Sequence, residues 1–550
     1  MKLQNISADY LPPAELSPLR VYTLPELHYP ARLNAAVELL DRTIAAGNSQ
    51  RPAFYFEERI LTYSQISRDV NRFGNALRGL GIVAGDRVLL RLGDQPELIV
   101  ALLALLKIGA IAVPTYPMLR AHHLIYRERD TEAKAIIVSD DLIEEVEKGR
   151  REFQFVRQWI AVGGAPPGYR NYSELISKAG DELVPSPTGA EDYALIMYTS
   201  GSTGDPKGVL WSHADIVAQA DSYTRACIRP EPNDVFVGPP PLPFAAGILF
   251  FLISPLRFGA SAVLMKEKSS DRMCDAVTRY RGTICVAMAT YYNLILREKG
   301  ARVREAFAAV RQTLVGGEPV PRELWDRWHE ASGHPLSQFL GTTEMSNCFL
   351  SFRFGIDPVR PTSAGRPVPG YQVAVRDPDT FAEVERGQPG LLTVIGPTGT
   401  KYWRKPEEQK RAVRNGWNVC QDIVTMDEEQ FVYHLARSDD MIVSAGYNIS
   451  PVEVETVLLQ HPKVAEVACV GAPDPTGLRS SIVKAYVVTR LGTAPTPDLV
   501  EELQRFFRER GAPYMYPREV VFIDQLPKTV TGKINRSELR RITKPAEGGH

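Results

Sequence analysis

From Tyr198 to Gly208 the chain reads Tyr-Thr-Ser-Gly-Ser-Thr-Gly-Asp-Pro-Lys-Gly. Thr199, Ser200, Ser202 and Thr203 supply hydroxyls, and Gly201, Gly204 and Gly208 interrupt them. One cation, Lys207, stands near the end. Glycine permits positive φ and close approach of backbone to a ligand. Successive N–H groups in such a turn make a concave nest for an anion. The preceding run, Asp192 to Tyr198, is apolar and strand-like, so the loop is expected at a strand end, cradling phosphate. It is not the kinase type of phosphate loop, because Pro206 precedes the lysine and Gly208 follows it.

A second cluster, Leu340-Gly-Thr-Thr-Glu344, sets a carboxylate beside two hydroxyls. A magnesium ion bridging phosphate oxygens needs this: a few hard oxygen ligands, with water and phosphate completing the octahedron. Leu314-Val-Gly-Gly-Glu-Pro-Val320 reads as a strand running into a glycine turn, and by itself a plain strand-end turn explains it. Asp422 carries a carboxylate able to accept from both hydroxyls of a cis-diol. A lone lysine such as Lys533 would ordinarily be solvated surface.

These segments, in this order, resemble the adenylate-forming enzymes, which include acyl- and aryl-CoA ligases, peptide-synthetase adenylation domains and luciferases. The resemblance runs from about residue 35 to 540. It implies that residues 199–204 and Lys207 bind the phosphates of ATP, and that Gly316, Gly317, Glu318 and Pro319 receive the adenine. It also implies that Gly341, Thr342 and Thr343 line the nucleotide site. Glu344 would be the metal ligand, for Mg²⁺, and Asp422 the ribose ligand. Leu340 stands where the family usually has an aromatic ring, and Cys420-Gln421 where it commonly has Thr-Gly. Arg437-Ser-Asp-Asp-Met-Ile442 fits the next segment, with Arg437 reaching ribose or phosphate and Asp439 at an interdomain hinge. Val443 replaces a frequent lysine. In Ser444-Ala-Gly-Tyr-Asn-Ile-Ser450, Gly446 and Tyr447 would border the tunnel for the pantetheine arm of coenzyme A. Pro527-Lys-Thr-Val-Thr-Gly-Lys-Ile-Asn-Arg536 matches the family's C-terminal lysine motif, which makes Lys533 the catalytic cation.

The acyl pocket of aryl-CoA ligases in this family falls on Pro243-Phe-Ala-Ala-Gly-Ile248 and just beyond Glu344. Phe244 offers a flat wall, Ala245, Ala246 and Gly247 are small, and Asn347 and Cys348 would form the facing side. That suits a compact ring, of benzoate type with 2-aminobenzoate favoured, and Asn347 would serve a ring substituent. The expected partners are thus an aryl acid, ATP and CoA. The first rival is an enzyme that loads the aryl acid onto a carrier-protein thiol, although only a polar tail follows Arg540. A silent ATP- or acyl-binding protein and a luciferase-like oxygenase are the others.

What must position these residues is a chain of 550 residues, too long for one core. It is 44% hydrophobic and 23% charged, ordinary for a soluble protein. A net charge of −1 gives no electrostatic case for nucleic acid or an anionic membrane. The start lacks an apolar signal-like core, and the most apolar run, Leu98 to Leu106, falls short of the roughly 20 residues of a membrane span. Six scattered cysteines without metal spacing suggest reduced thiols in a cytoplasm. A monomer or homodimer is expected. His213 reads equally as an acyl-site or a structural residue.

After an aperiodic arm of some 30 residues, helix and strand alternate. Ser64 is expected to cap a helix bearing Ile66, Val70, Phe73, Leu77 and Leu80, closed by Gly81. Strands are expected at Val88–Leu90, Ala135–Val138, Ser261–Leu264, Thr283–Ala287 and Thr313–Val315, which argues for parallel α/β layers. From about 365, glycine and proline punctuate short strands, as in a β-rich subdomain. Ser450-Pro-Val-Glu453 is a capping box opening a smaller α+β unit. The expected fold is α/β: a large domain of layered α/β subdomains plus the β-rich part over 1–437, then a small mobile α+β domain over 438–550.

Overall fold

The computed structural model describes residues 6–199, 206–317, 319–437, 440–444, 447–474, 481–511, 515–529 and 533–543. Two seven-stranded sheets form its large part. The first runs in the order Arg170–Asn171, Gln158–Val162, Ala135–Ser139, Arg87–Arg91, Ile111–Pro114, Tyr193–Thr199, Lys207–Ser212. Its strands are parallel until the last, which returns antiparallel beside Tyr193–Thr199. The second orders Leu336–Gln338, Gln312–Val315, Ile284–Ala287, Val235–Val237, Ser261–Leu264, Pro52–Phe56 and Arg59–Thr62, again parallel except for the final hairpin. Parallel strands are covered on both faces, so they are apolar runs rather than alternations. Ala135–Ser139, Ser261–Leu264 and Gln312–Val315 are buried at every position.

The helices between them follow the same logic. Tyr63–Gly79 buries Ile66, Val70, Phe73 and Leu77. Its cap is Thr62, not Ser64: Thr62 accepts from the Gln65 N–H while the Gln65 side chain accepts from the Thr62 N–H. The capping box thus lies two residues earlier than the apolar spacing suggests. Pro96–Ile108 is buried all round, so its hydrophobicity marks a central helix between layers. Among the described residues no helix is long and apolar enough to cross a membrane.

The β-rich part pairs Gln372–Arg376, Gly390–Ile395, Trp417–Met426 and Val413–Arg414, with Val432–Arg437 added on Trp417–Met426. Beyond it, buried apolar residues from Ile442 to Leu539 gather in two clusters of their own. There Val464–Ala472, Ile482–Thr489 and Glu519–Phe522 form a sheet against helices Pro451–Leu459 and Pro497–Arg510. Ser450 caps Pro451–Leu459 by accepting from the Glu453 N–H.

The N-terminal arm is a tie across the large part. Tyr10 stacks on Trp403 at 4.6 Å, and the Val21 N–H donates to the Gly396 carbonyl. Arg20, half-buried, pairs with the wholly buried Asp215 at 2.8 Å. The six cysteines are buried free thiols, which fits core packing.

Candidate functional site

Thr199 and Lys207 face one another in register on adjacent antiparallel strands, so the glycine- and hydroxyl-rich segment is the connection of a hairpin. Ser200, Gly201, Ser202, Thr203 and Gly204 lie outside the described residues. The base of that hairpin is braced from behind. The Tyr198 hydroxyl donates to Asp130, the Arg127 guanidinium lies 4.8 Å over the Tyr198 ring, and the Tyr126 hydroxyl donates to the Pro206 carbonyl at 3.1 Å. Lys207 pairs with Glu408, which holds that carboxyl below its usual range, and lies 5.6 Å from the centre of the Tyr402 ring.

Tyr402 joins this cation to the acidic cluster, for its hydroxyl donates to Glu344 Oε1 at 3.2 Å. Burial, then the nearby Glu344, push the Tyr402 hydroxyl up, so it stays a donor. Leu340–Thr342 pairs antiparallel with Asn347–Ser351, setting Gly341 opposite Cys348 and Thr342 opposite Asn347. The tight turn between them is closed by the Thr342 hydroxyl accepting from the Met345 N–H. Trp211 Nε1 donates to the Thr343 carbonyl at 2.9 Å, tying the turn to the strand that leaves Lys207. Gly341 is exposed and Thr342, Thr343 and Glu344 are half-buried, open to a ligand. No group of three His, Cys, Asp or Glu able to hold a metal occurs among the described residues. A single carboxylate, Glu344, fits a Mg²⁺ that takes most of its ligands from phosphate and water.

The glycine turn follows the strand Gln312–Val315. Gly316 is buried, and a Cβ there would meet the Phe339 ring at 2.3 Å. The aromatic partner of this turn is therefore Phe339, one residue before Leu340. Gly317 has φ +88°, and a Cβ built on it would lie 3.4 Å from Lys533 Cε and 3.9 Å from Lys533 Nζ. The C-terminal lysine thus stands over the glycine turn of the large part. Pro319 is half-buried, and Glu318 lies outside the described residues.

Lys533 is exposed on a narrow loop closed by Thr529 N–H donating to its carbonyl at 2.7 Å and by the bridge between Lys528 and Ile534. Below the tip, Arg536 Nη2 donates to both carboxylate oxygens of Glu455 at 2.7 Å, and Arg540 pairs with Asp440 at 2.5 Å. Asp439 and Gly446 lie outside the described residues, as do the side chains of Arg437 and Tyr447. The Arg437 backbone stands opposite Asp422 in the ladder of Trp417–Met426 with Val432–Arg437.

Phe244, Ala245 and Ala246 are half-buried at the start of a short helix, Ala245–Ile248. Phe244 packs on Tyr116, ring centres 4.8 Å apart. A Cβ on Gly247 would fall 2.0 Å from the Pro241 carbonyl oxygen, so only glycine lets this turn close. Asp94 fixes the loop from the other side by accepting from the Leu242 N–H at 3.1 Å while paired with Lys268. Cys348 is fully buried, its thiol pushed up by burial. Asn347 is also buried. It donates to Ser222 Oγ at 2.9 Å and to the Tyr371 hydroxyl at 3.1 Å, and its carbonyl accepts from the Cys348 N–H. Its amide hydrogens are committed to the fold, and only the second lone pair of the amide oxygen remains to take a donor.

His213 belongs to the fold. Its Nδ1 accepts from the Ala35 N–H at 3.1 Å, and burial lowers it to about 3. Tyr402, Glu408, Trp211, Tyr116 and the Asp94–Lys268 pair were not singled out by sequence. For Tyr402 and Glu408 the one signal is the cluster Lys401-Tyr-Trp-Arg-Lys-Pro-Glu-Glu408, rich in aromatic and charged residues, yet it carries no spacing that names a ligand.

With this geometry in view, the matches to known proteins are decisive. Residues 41–403 match the model of the AMP-binding enzyme family, and 453–533 match that of the AMP-binding enzyme C-terminal domain. The chain belongs to the AMP-binding, adenylate-forming enzymes. A benzoate–CoA ligase of Thauera aromatica is 32% identical over 521 residues, covering 94% of this chain and 98% of that protein. The crystal structure of the anthranilate CoA ligase AuaEII in complex with anthranoyl-AMP superposes with a TM-score of 0.89 at 30% identity, covering 94% of this chain and 99% of that one. A benzoate CoA ligase from Burkholderia xenovorans LB400 gives 0.84 at 33% identity, covering 92% and 99%.

Proposed function

We propose that this adenylate-forming enzyme activates an aromatic carboxylic acid with ATP and transfers the acyl group to coenzyme A. The observation that carries the reading is Lys533 seated over Gly317, beside the turn that feeds the nucleotide site. In the first step a carboxylate oxygen bonds to the α-phosphorus of ATP and the bond to pyrophosphate breaks, giving an acyl-adenylate. Lys533 neutralises charge that develops on the entering and α-phosphate oxygens, and Lys207 and residues 199–204 bind the phosphates. Asp422 accepts from the ribose hydroxyls. Glu344 would hold Mg²⁺, which when bound offsets the charge of the triphosphate. Positioned charges of this kind are worth about 10²–10³ in rate each.

In the second step the small domain, hinged at Asp439 between 1–437 and 438–550, turns and withdraws Lys533. The CoA sulfur bonds to the acyl carbon past Gly446 and Tyr447, the thiol proton is lost, and the bond to AMP breaks. Hinged closure of this sort needs only one or two residues to absorb the rotation.

For the acid, benzoate and its 2-amino derivative are favoured. Phe244 against Tyr116, with Ala245 and Ala246 at its edge, supports a flat, compact ring. The spare lone pair on Asn347 Oδ1 supports a substituent that donates, as an ortho amino group does. Similarity to both benzoate and anthranilate CoA ligases supports the same class. The test is mass spectrometry of products from ATP, Mg²⁺, CoA and a mixed pool of aryl and alkyl acids. Benzoyl- or 2-aminobenzoyl-CoA as the main product is expected. Acyl-adenylate with no thioester would replace CoA by a carrier-protein thiol, and an alkyl-CoA product would overturn the ring assignment.

A further inference from the structure

The ribose carboxylate is not left to orient itself. Asp422 lies within Trp417–Met426, and His434 lies on the neighbouring strand Val432–Arg437. A register shift between Ile423 and Val424 turns the two side chains toward each other. His434 Nε2 and Asp422 Oδ1 are 2.9 Å apart, with side chains 12% and 14% exposed. A carboxylate near neutral pH only accepts, so Nε2 carries the proton of this bond. The other ring nitrogen, Nδ1, is buried with no hydrogen-bond partner among the described residues.

That orphan nitrogen is the informative point. A buried polar atom left unpaired destabilises the fold, and an apolar ring of similar size would avoid it. Packing therefore does not explain an imidazole here, whereas its one good hydrogen bond does. The bond fastens Oδ1 and fixes the plane of the carboxylate, so that Oδ2 and the outer lone pairs keep one orientation. Recognition of two adjacent hydroxyls by one carboxylate depends on that orientation, because both O–H groups must reach it at once.

We infer that His434 is a positioning residue for the nucleotide: it orients Asp422 for the ribose cis-diol of ATP. The inference rests on the reading of Asp422 given above. It predicts a loss confined to substrates that carry the diol. His434→Leu raises the KM for ATP about tenfold with kcat little changed, the scale expected for losing one hydrogen bond to a charged group. The same variant acts on 2′-deoxy-ATP with nearly the wild-type KM, since that substrate cannot engage both hydroxyls. His434→Gln, which keeps an N–H donor of similar reach, recovers most of the discrimination.

The experiment measures KM and kcat for ATP and 2′-deoxy-ATP in wild type, His434→Leu, His434→Gln and Asp422→Asn, with circular dichroism to confirm folding. An equal loss on both nucleotides for His434→Leu, with Gln no better, means the residue is merely structural and overturns the inference. If Asp422→Asn also fails to alter the preference for ATP over its deoxy analogue, the ribose role of Asp422 itself is wrong. If Asp422→Asn abolishes the preference while His434→Leu leaves it intact, only the role of His434 falls.

Discussion

Two regions that the proposed mechanism uses hold their charges by different means. Around Glu344 and Lys207 each functional group is held by a partner from another element: Tyr402 on Glu344, Glu408 on Lys207, Trp211 on the Thr343 carbonyl. Around Lys533 the side chain itself is exposed and the fixing is done below it, where Arg536 holds Glu455 and Arg540 holds Asp440. The first arrangement keeps ligands in one geometry. The second sets an exposed side chain above a paired base, an arrangement suited to a cation that is presented and then withdrawn. Preorganised charge is cheap to use because nothing has to reorient during the reaction.

Breaking the base of the C-terminal loop should have the largest effect. Arg536→Met leaves Glu455, 8% exposed, buried without its counter-charge. A loss of about 3–5 kcal/mol is expected for the C-terminal unit in urea unfolding. Unchanged stability would show that the clasp does not hold the loop. Removing the tip instead should spare the fold. Lys533→Ala is expected to lower adenylate formation about 10²–10³-fold in pyrophosphate exchange. Thioester formation from preformed acyl-adenylate should change little, and an equal loss in both steps would deny the lysine its separate role.

The large part should show its dependence through acid. His213 is buried and lowered to about 3, while the unfolded chain protonates its histidines near 6.5. The unfolded state binds the extra proton between those values, so stability is present above 6.5 and is lost as pH falls toward 3. The slope should approach about 1.4 kcal/mol per pH unit from this group. Chemical denaturation across pH 4–7 on wild type and His213→Asn would detect it, since the variant should flatten the acid limb. The mildest expected change is Tyr402→Phe, which removes one hydrogen bond to Glu344. About a fivefold rise in the Mg²⁺ concentration for half-maximal rate is expected, and no rise would mean that Glu344 is placed without Tyr402.

Much of the α/β core was legible because burial on both faces writes itself as apolar runs: Ser261–Leu264 emerges at its predicted bounds, and Ala135–Ser139 differs by one residue. The cap of the first long helix shifted from Ser64 to Thr62, since two hydroxyls two residues apart satisfy the same local pattern and only the observed Gln65 bond decides between them. Asn347 shows the opposite limit. Its position beside the acidic cluster was readable, but its commitment to Ser222 and Tyr371 was not, because those partners come from elements far away in the chain.

What the sequence alone determined is which groups are on offer: glycines and hydroxyls in a run before Lys207, a hard carboxylate in Glu344, and a lysine motif around Lys533. Those depend on residue type and short spacing, which are local. Only the tertiary structure decided that Lys533 stands over Gly317, that Tyr402 joins Glu344 to Lys207, and that His434 holds Asp422. Each of these contacts closes a long loop of chain or crosses between strands. Their geometry is set by how sheets stack and register, and no local pattern encodes that.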